Sequence, residues 1–168
     1  MRRVALALAG AAVVAFACTQ IVLARGATID TFPVSFVLTS GTCSNLPSGT
    51  TLVGTGTGKS ITTTRVDKDG VFSIENSTHS NGTAVDQAGN TYVWSYSNSL
   101  RATESGGVFT GPMTDSFIVA GNGPSRLNNG FSGTFVTDFF SFFTVPQVNA
   151  SHGDPLDFAT GAVHCDPL

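Results

Sequence analysis

From Phe32 onward, Phe32-Pro-Val34-Ser-Phe36-Val-Leu38 places an apolar side chain on every second position, the period of a half-buried strand. The same alternation, or short runs of β-branched and aromatic residues, predicts strands over 50–57, 60–66, 71–76, 91–100, 108–110, 115–120, 131–137, 139–145 and 162–165. Between them stand turn signals: Asp67-Lys-Asp-Gly70, Asn81-Gly82, Gly89-Asn90, Gly106-Gly107, Gly121-Asn-Gly-Pro124 and Asn128-Asn-Gly130. No segment after residue 26 has a helical period. Many short strands at near-regular spacing predict an all-β domain, a single antiparallel β-barrel or β-sandwich over 27–168, with an irregular tail over 146–162.

Residues 1–26 break the pattern. Arg2 and Arg3 precede an uncharged Ala/Val/Leu run, and Val22-x-Ala24 or Ala24-x-Gly26 offers small residues for cleavage, so this segment reads as a secretory signal peptide cut near 24–26. The alternatives are an uncleaved leader acting as a membrane tether and acylation at Cys18. Cleavage leaves about 140 residues, enough for one domain with one core. It also leaves Cys43 and Cys165 as the remaining thiols, which predicts a disulfide in an oxidising compartment and, with the two ends tied together, favours a barrel over a sandwich. The expected location is extracellular.

With the leader removed, eleven Asp and Glu face Lys59, Arg65, Lys68, Arg101 and Arg126. An acidic chain without a basic stripe is a poor match to nucleic acid or to anionic membranes, both held mainly by Lys and Arg. Stable membrane insertion after leader cleavage is not expected either. Val53-Gly-Thr-Gly-Thr-Gly-Lys59-Ser60 ends like a nucleotide-binding loop, but Val53 stands where the first glycine belongs and β-branched residues follow where a helix must start. No nucleotide partner and no cofactor are expected. The Gly-Thr alternation reads as a strand that another group approaches closely.

Few residues suggest chemistry. Asp67-x-Asp69-Gly70 resembles part of a calcium loop, but Arg65 occupies the first ligand position and Asn76 the last, so a β-turn is the better reading. Asp86-Gln-Ala-Gly-Asn90 is likewise read as a turn. His79, His152 and His164 share no metal-ligand spacing, and no metal site is expected. A hydrolase with scattered carboxylates would draw first on Glu75 and Glu104. Phe131, Phe135, Phe139, Phe140, Phe142 and Phe143 suggest core filling, although the adjacent pairs must put one ring on each face of a strand. Tyr92, Trp94 and Tyr96 project from one strand face, either as a core stripe or as a platform for a small-molecule or glycan ligand.

The stretch Val85-Asp-Gln-Ala-Gly-Asn-Thr-Tyr-Val-Trp-Ser-Tyr96 and the ending Asp154-Pro-Leu-Asp-Phe-Ala-Thr-Gly-Ala-Val-His-Cys-Asp-Pro-Leu168 resemble small exported bacterial β-rich proteins without assigned function. That resemblance implies export and a β-rich fold and carries over no activity. The expectation is therefore a secreted, non-catalytic β domain that binds a small ligand or a surface. A hydrolase and a structural or interaction domain are the alternatives.

Overall fold

The structure, a computed structural model, describes residues 26–157 and 162–168; the expected leader and Cys18 lie outside this range. The described residues are strand and turn without helix. Seven long strands, β1 (Gly26–Thr39), β2 (Thr51–Val66), β3 (Phe72–Asp86), β4 (Thr91–Ser105), β5 (Val108–Gly121), β6 (Leu127–Thr137) and β7 (Phe143–His152), form one antiparallel meander in chain order. Two short strands, β8 (Leu156–Asp157) and β9 (Ala162–Val163), pair beside it.

Several expected boundaries shift. Segments 50–57 and 60–66 are one strand, β2, and 108–110 and 115–120 join in β5. Asn81-Gly82 and Asn128-Asn-Gly130 lie inside β3 and β6 instead of at turns. Their glycines serve close packing: a Cβ on Gly82 would run into the Thr55 carbonyl, and one on Gly130 would meet the His152 ring. β7 runs to His152, so the irregular tail starts there and not at 146, while 139–142 form a turn instead of a strand.

The inward-facing side chains fall into rows set by the register. One row reads Phe36, Gly54, Ala84, Tyr92, Gly121, and the next Val34, Gly56, Gly82, Trp94, Val119, Leu127. A third row is Phe32, Gly58, Ser80, Tyr96, Phe117, Asn129. On a flat sheet β1 and β5 would lie about 19 Å apart, four strand spacings. Phe36 and Phe117 nevertheless meet edge to face with centroids 5.8 Å apart, so the sheet is rolled tightly. Glycine makes the roll possible. Gly54, Gly56 and Gly58 strip the middle of β2 of side chains on its inner face, and a Cβ at any of them would stand in the ring of Phe36, Trp94 or Phe32 respectively. Those alternating glycines are the nucleotide-loop lookalike, and here they are strand.

The rolled sheet stays open among the described residues: β1 pairs with β2, β7 with β6, and the two edges are not hydrogen-bonded to each other. The expected hydrogen-bonded barrel is therefore not formed. Side chains, the 40–50 loop and the chain end bridge the edges at one end instead. The Cys43–Cys165 disulfide is present, joining residues 122 apart in sequence. Around it, Asn45 Nδ2 donates to Asn129 Oδ1 at 2.6 Å, Asn129 Nδ2 donates to the Cys165 carbonyl at 3.1 Å, and the Ser44 amide donates to Asp154 Oδ2 at 2.5 Å.

Two apolar clusters fill the concave face. The first, beside the disulfide, gathers Phe36, Leu52, Tyr92, Trp94, Phe117 and Leu127 with both half-cystines. The second, toward the other end, gathers Ile74, Met113, Phe131, Phe135, Val145 and Leu156. Each fully buried ring contributes about 1.5–3 kcal/mol relative to exposure, so the two clusters together supply the bulk of the drive to roll.

Candidate functional site

Tyr92, Trp94 and Tyr96 do share one face of β4, and all three are buried in the first cluster. Their rings are covered: Phe36 packs edge-on to Trp94 at 5.3 Å, and Phe117 lies 6.4 Å from it. Their polar tips are all engaged. Trp94 Nε1 donates to the Thr55 and Thr83 carbonyls at 3.2 and 3.1 Å, and Tyr92 Oη donates to Asp86 Oδ2 at 2.8 Å. Asp86 also accepts from Asn90 Nδ2 and from the amides of Ala88 and Asn90, which closes the β3–β4 turn and holds its carboxyl below the usual range, the Asn90 side chain being the main cause. Tyr96 alone reaches beyond this cluster, donating to Asp115 Oδ2 at 2.6 Å.

That contact opens onto a polar belt between the two clusters. The fourth inward row is Asp30, Ser60, Thr78, Asn98, Asp115 and then Phe131; the fifth begins Thr28, Thr62, Asn76. Asn76 Nδ2 donates to both Ser60 Oγ and Thr62 Oγ1 at 2.7 Å, and Thr78 Oγ1 donates to Asn76 Oδ1 at 3.0 Å. Asn98 Nδ2 donates to Asp115 Oδ2 at 3.0 Å. The belt is closed at Asp115 and Thr78, which are buried, and half-open at Ser60, Thr62, Asn76 and Asn98. Thr28 and Asp30, inward by register, are exposed, so no second layer covers the belt on the β1 side.

Two features make the belt chemically unusual. Ser80 Oγ, in the adjoining row, is buried without a hydrogen-bond partner, a state that costs about 1–3 kcal/mol for a neutral polar group. A second carboxyl, Asp166, carried by the disulfide-bound tail, lies in the field of Asp115. Burial first, and then the Asp115 charge, push Asp166 up to about 7, against a single amide donor from Leu168 at 2.9 Å. Asp115 is raised by burial despite its Tyr96 and Asn98 donors, and the Tyr96 phenol is raised in turn by burial and by Asp115. Neither carboxyl was singled out by the sequence. The available signal was parity: Asp115 interrupts the inward series Met113, Phe117, Val119.

The other candidates are structural in placement. Glu75 pairs with Arg101 at 3.2 Å and with Arg65 at 4.0 Å on the outer face, and Glu104 Oε1 accepts the Gly107 amide in the β4–β5 turn, so the two glutamates do not converge. Asp67 Oδ1 accepts the amides of Asp69 and Val71, fixing the β2–β3 turn. Lys59 is exposed on β2. His164 Nδ1 contacts the Thr42 carbonyl at 3.0 Å and its Nε2 stands 3.7 Å from Asp154 Oδ1, part of the tail's attachment. His79 and His152 lie on the outer face of β3 and β7. His79 borders a cleft of about 300 Å³ that Ser80, Ser95, Tyr96, Ser97, Ser116 and Ile118 also line. Among the described residues no group of three or more His, Cys, Asp or Glu is placed to hold a metal ion. No family model, curated protein or solved structure matches the chain.

Proposed function

We propose that this chain is an exported, non-catalytic binding domain that takes a small polar ligand, a short glycan or a molecule with similar hydroxyl spacing, into the belt between its two cores. The observation that carries this reading is the Ser80 hydroxyl, buried without a partner at the closed side of a strip lined by Ser60, Thr62, Asn76, Thr78 and Asn98. A hydroxyl- and amide-lined strip with a free polar atom offers both donors and acceptors to a ligand that has lost its water. In this reading Tyr96 borders the ligand through the Asp115 contact, while Tyr92 and Trp94 back the wall. Export rests on the 1–26 leader pattern and is supported by the disulfide; the rolled open sheet acts as an incomplete barrel whose missing wall is the entrance.

The test is a backbone-amide NMR titration of the exported protein against a panel of mono- and oligosaccharides. Shifts are expected at 60–62, 76–78 and 98, none of which lines the outer cleft, and Ser80→Ala is expected to weaken binding about 3- to 10-fold, the worth of one hydrogen bond, without loss of stability. Absence of belt shifts across the panel, or shifts confined to the outer cleft, would refute it. The hydrolase reading now draws on Asp115 and Asp166 in place of the glutamates. Product signals growing in the same titration, and abolished by Asp115→Asn, would replace binding by turnover.

A further inference from the structure

The turn between β6 and β7 holds Phe139, Phe140 and Phe142, with Ser141 among them, and Phe143 follows as the first residue of β7. Phe140 is 88% exposed, the most exposed of the chain's large apolar side chains among the described residues, and Phe142 and Phe143 are also exposed. Rings left in water on a loose loop would be unremarkable. This turn is fixed. Asp138 Oδ1 accepts the amides of Phe140, Ser141 and Phe142 at 2.9, 2.7 and 3.2 Å, and Asp138 Oδ2 accepts the Ser141 hydroxyl. Thr137 adds two further bonds, donating to the Phe142 carbonyl at 2.5 Å and accepting the Phe139 amide at 2.8 Å.

The backbone is also held where a bulky residue resists going. Phe139 has φ of 62°, left-handed, a conformation uncommon for a large side chain and one that persists when its surroundings impose it. Here the imposing contact is the Phe139 ring, half-buried against Phe109 at 4.8 Å, which in turn meets Phe72 at 5.9 Å. Phe143 stacks on the buried Phe135 at 5.6 Å. The second core thus continues into the turn through these ring contacts, and Phe140 stands exposed beside them.

We propose that this turn is a preformed aromatic anchor that inserts Phe140, flanked by Phe142, into an apolar pocket with a basic rim on a partner protein. Rigid rings with the entropy of ordering already lost are what binding hot spots are made of. Charge selects the partner. In and beside its turns, this end of the sheet carries Asp67, Asp69, Glu104 and Asp138 against Arg65 and Lys68. An acidic collar is repelled by anionic lipid and would have to be stripped of water to sink into any bilayer, and a tip-to-tip pair of copies would set two such collars against each other. Lys and Arg around a ring-sized pocket complement it.

The test places the photo-crosslinker p-benzoylphenylalanine at position 140 of the exported chain, with Ile118 on the outer face as control site, in the secreted and surface fraction of the producing cells. One protein should crosslink from 140 and not from 118, in competition with unlabelled wild type but not with Phe140→Ser, and the adduct should map to an apolar pocket bordered by Lys or Arg. With that partner purified, Phe140→Ser should lower affinity about 30-fold or more, and Asp138→Ala, which keeps the ring and frees the turn, should lower it by a smaller factor. Adducts with lipid only, with a second copy only, with nothing that wild type displaces, or with a protein whose affinity Phe140→Ser leaves unchanged would each overturn the proposal.

Discussion

The two ends of the rolled sheet treat aromatic side chains in opposite ways. At the disulfide end, Phe36, Tyr92 and Trp94 are laid against bare glycine backbone and every polar tip finds a partner. At the opposite end, Phe143 stacks on Phe135 and Phe139 packs on Phe109, while Phe140 stands in water on a turn that a carboxylate locks. The first arrangement gains stability from each ring. The second spends backbone strain and hydrogen bonds on holding rings that contribute little to folding, which marks that end as shaped for contact with something else.

The largest break in this contrast should come from the covalent tie. Reducing Cys43–Cys165, or replacing Cys43 with Ser, releases a loop of 122 residues, worth about 4–5 kcal/mol by chain entropy. Urea unfolding with and without reductant measures it, and the 40–50 loop and the tail should lose amide protection first, before the β6–β7 turn. Trp94→Ala should follow at roughly 3–5 kcal/mol, since it removes the ring against which both Phe36 and Phe117 pack and the donor to two carbonyls. In the wild type, the emission of this sole tryptophan should be blue-shifted and closed to quenchers. A quencher-accessible Trp94 would dissolve the distinction between the ends.

Much of the fold was legible because alternation is local: Phe32 to Leu38, Tyr92 to Tyr96 and the Asp67–Gly70 turn could be read from neighbouring residues. The cysteine pairing was legible by elimination. What failed was non-local. Asn81-Gly82 and Asn128-Asn-Gly130 carry turn chemistry, yet their glycines sit mid-strand because a carbonyl or ring from another strand needs the space. Barrel closure was inferred from joined chain ends, whereas here the joining is done by loops and a disulfide, not by a ladder. The belt was invisible because it is a row across strands: Ser60, Thr78, Asn98 and Asp115 are unremarkable in sequence and form a continuous polar row only in register. Asp166 gained meaning only when the tail carried it toward Asp115.

Protonation should sharpen the contrast with effects of opposite sign. Asp166 is raised from an ordinary 3.8 to about 7, so its protonated form is the one folding favours. That stability is complete below the ordinary value and is lost as pH rises from 4 to 7, with Asp115 adding a loss in the same direction. Asp138 behaves conversely: the Ser141 hydroxyl and the turn amides hold it well below the usual carboxylate range, so its stabilisation is complete near neutrality and is lost as pH falls below about 4. Asp166→Asn mimics the protonated acid and should gain roughly 1–3 kcal/mol over wild type at pH 8, with the difference vanishing at pH 4. Thermal melts across pH 3–8 read both limbs. An alkaline limb unchanged by Asp166→Asn would remove the carboxyl pair from the account of that end.

The smallest effect is expected at the most conspicuous side chain. Phe140 is 88% exposed, so Phe140→Ser removes no buried contact, and the bonds from Asp138 and Thr137 that set the turn run to backbone atoms and to Ser141. Its stability should stay within about 0.5 kcal/mol of wild type, while Phe135→Ala, at the same end but fully buried and stacked on Phe143, should cost roughly 3–5 kcal/mol. Paired chemical denaturation of the two variants makes the comparison. If Phe140→Ser were to destabilise the fold by more than 1 kcal/mol, the ring would be supporting the turn in solution and the two ends would differ only in degree. If it is neutral, a large apolar side chain is being held in water by a saturated carboxylate and a left-handed phenylalanine at no benefit to folding, and the benefit has to lie in what the ring touches outside the molecule.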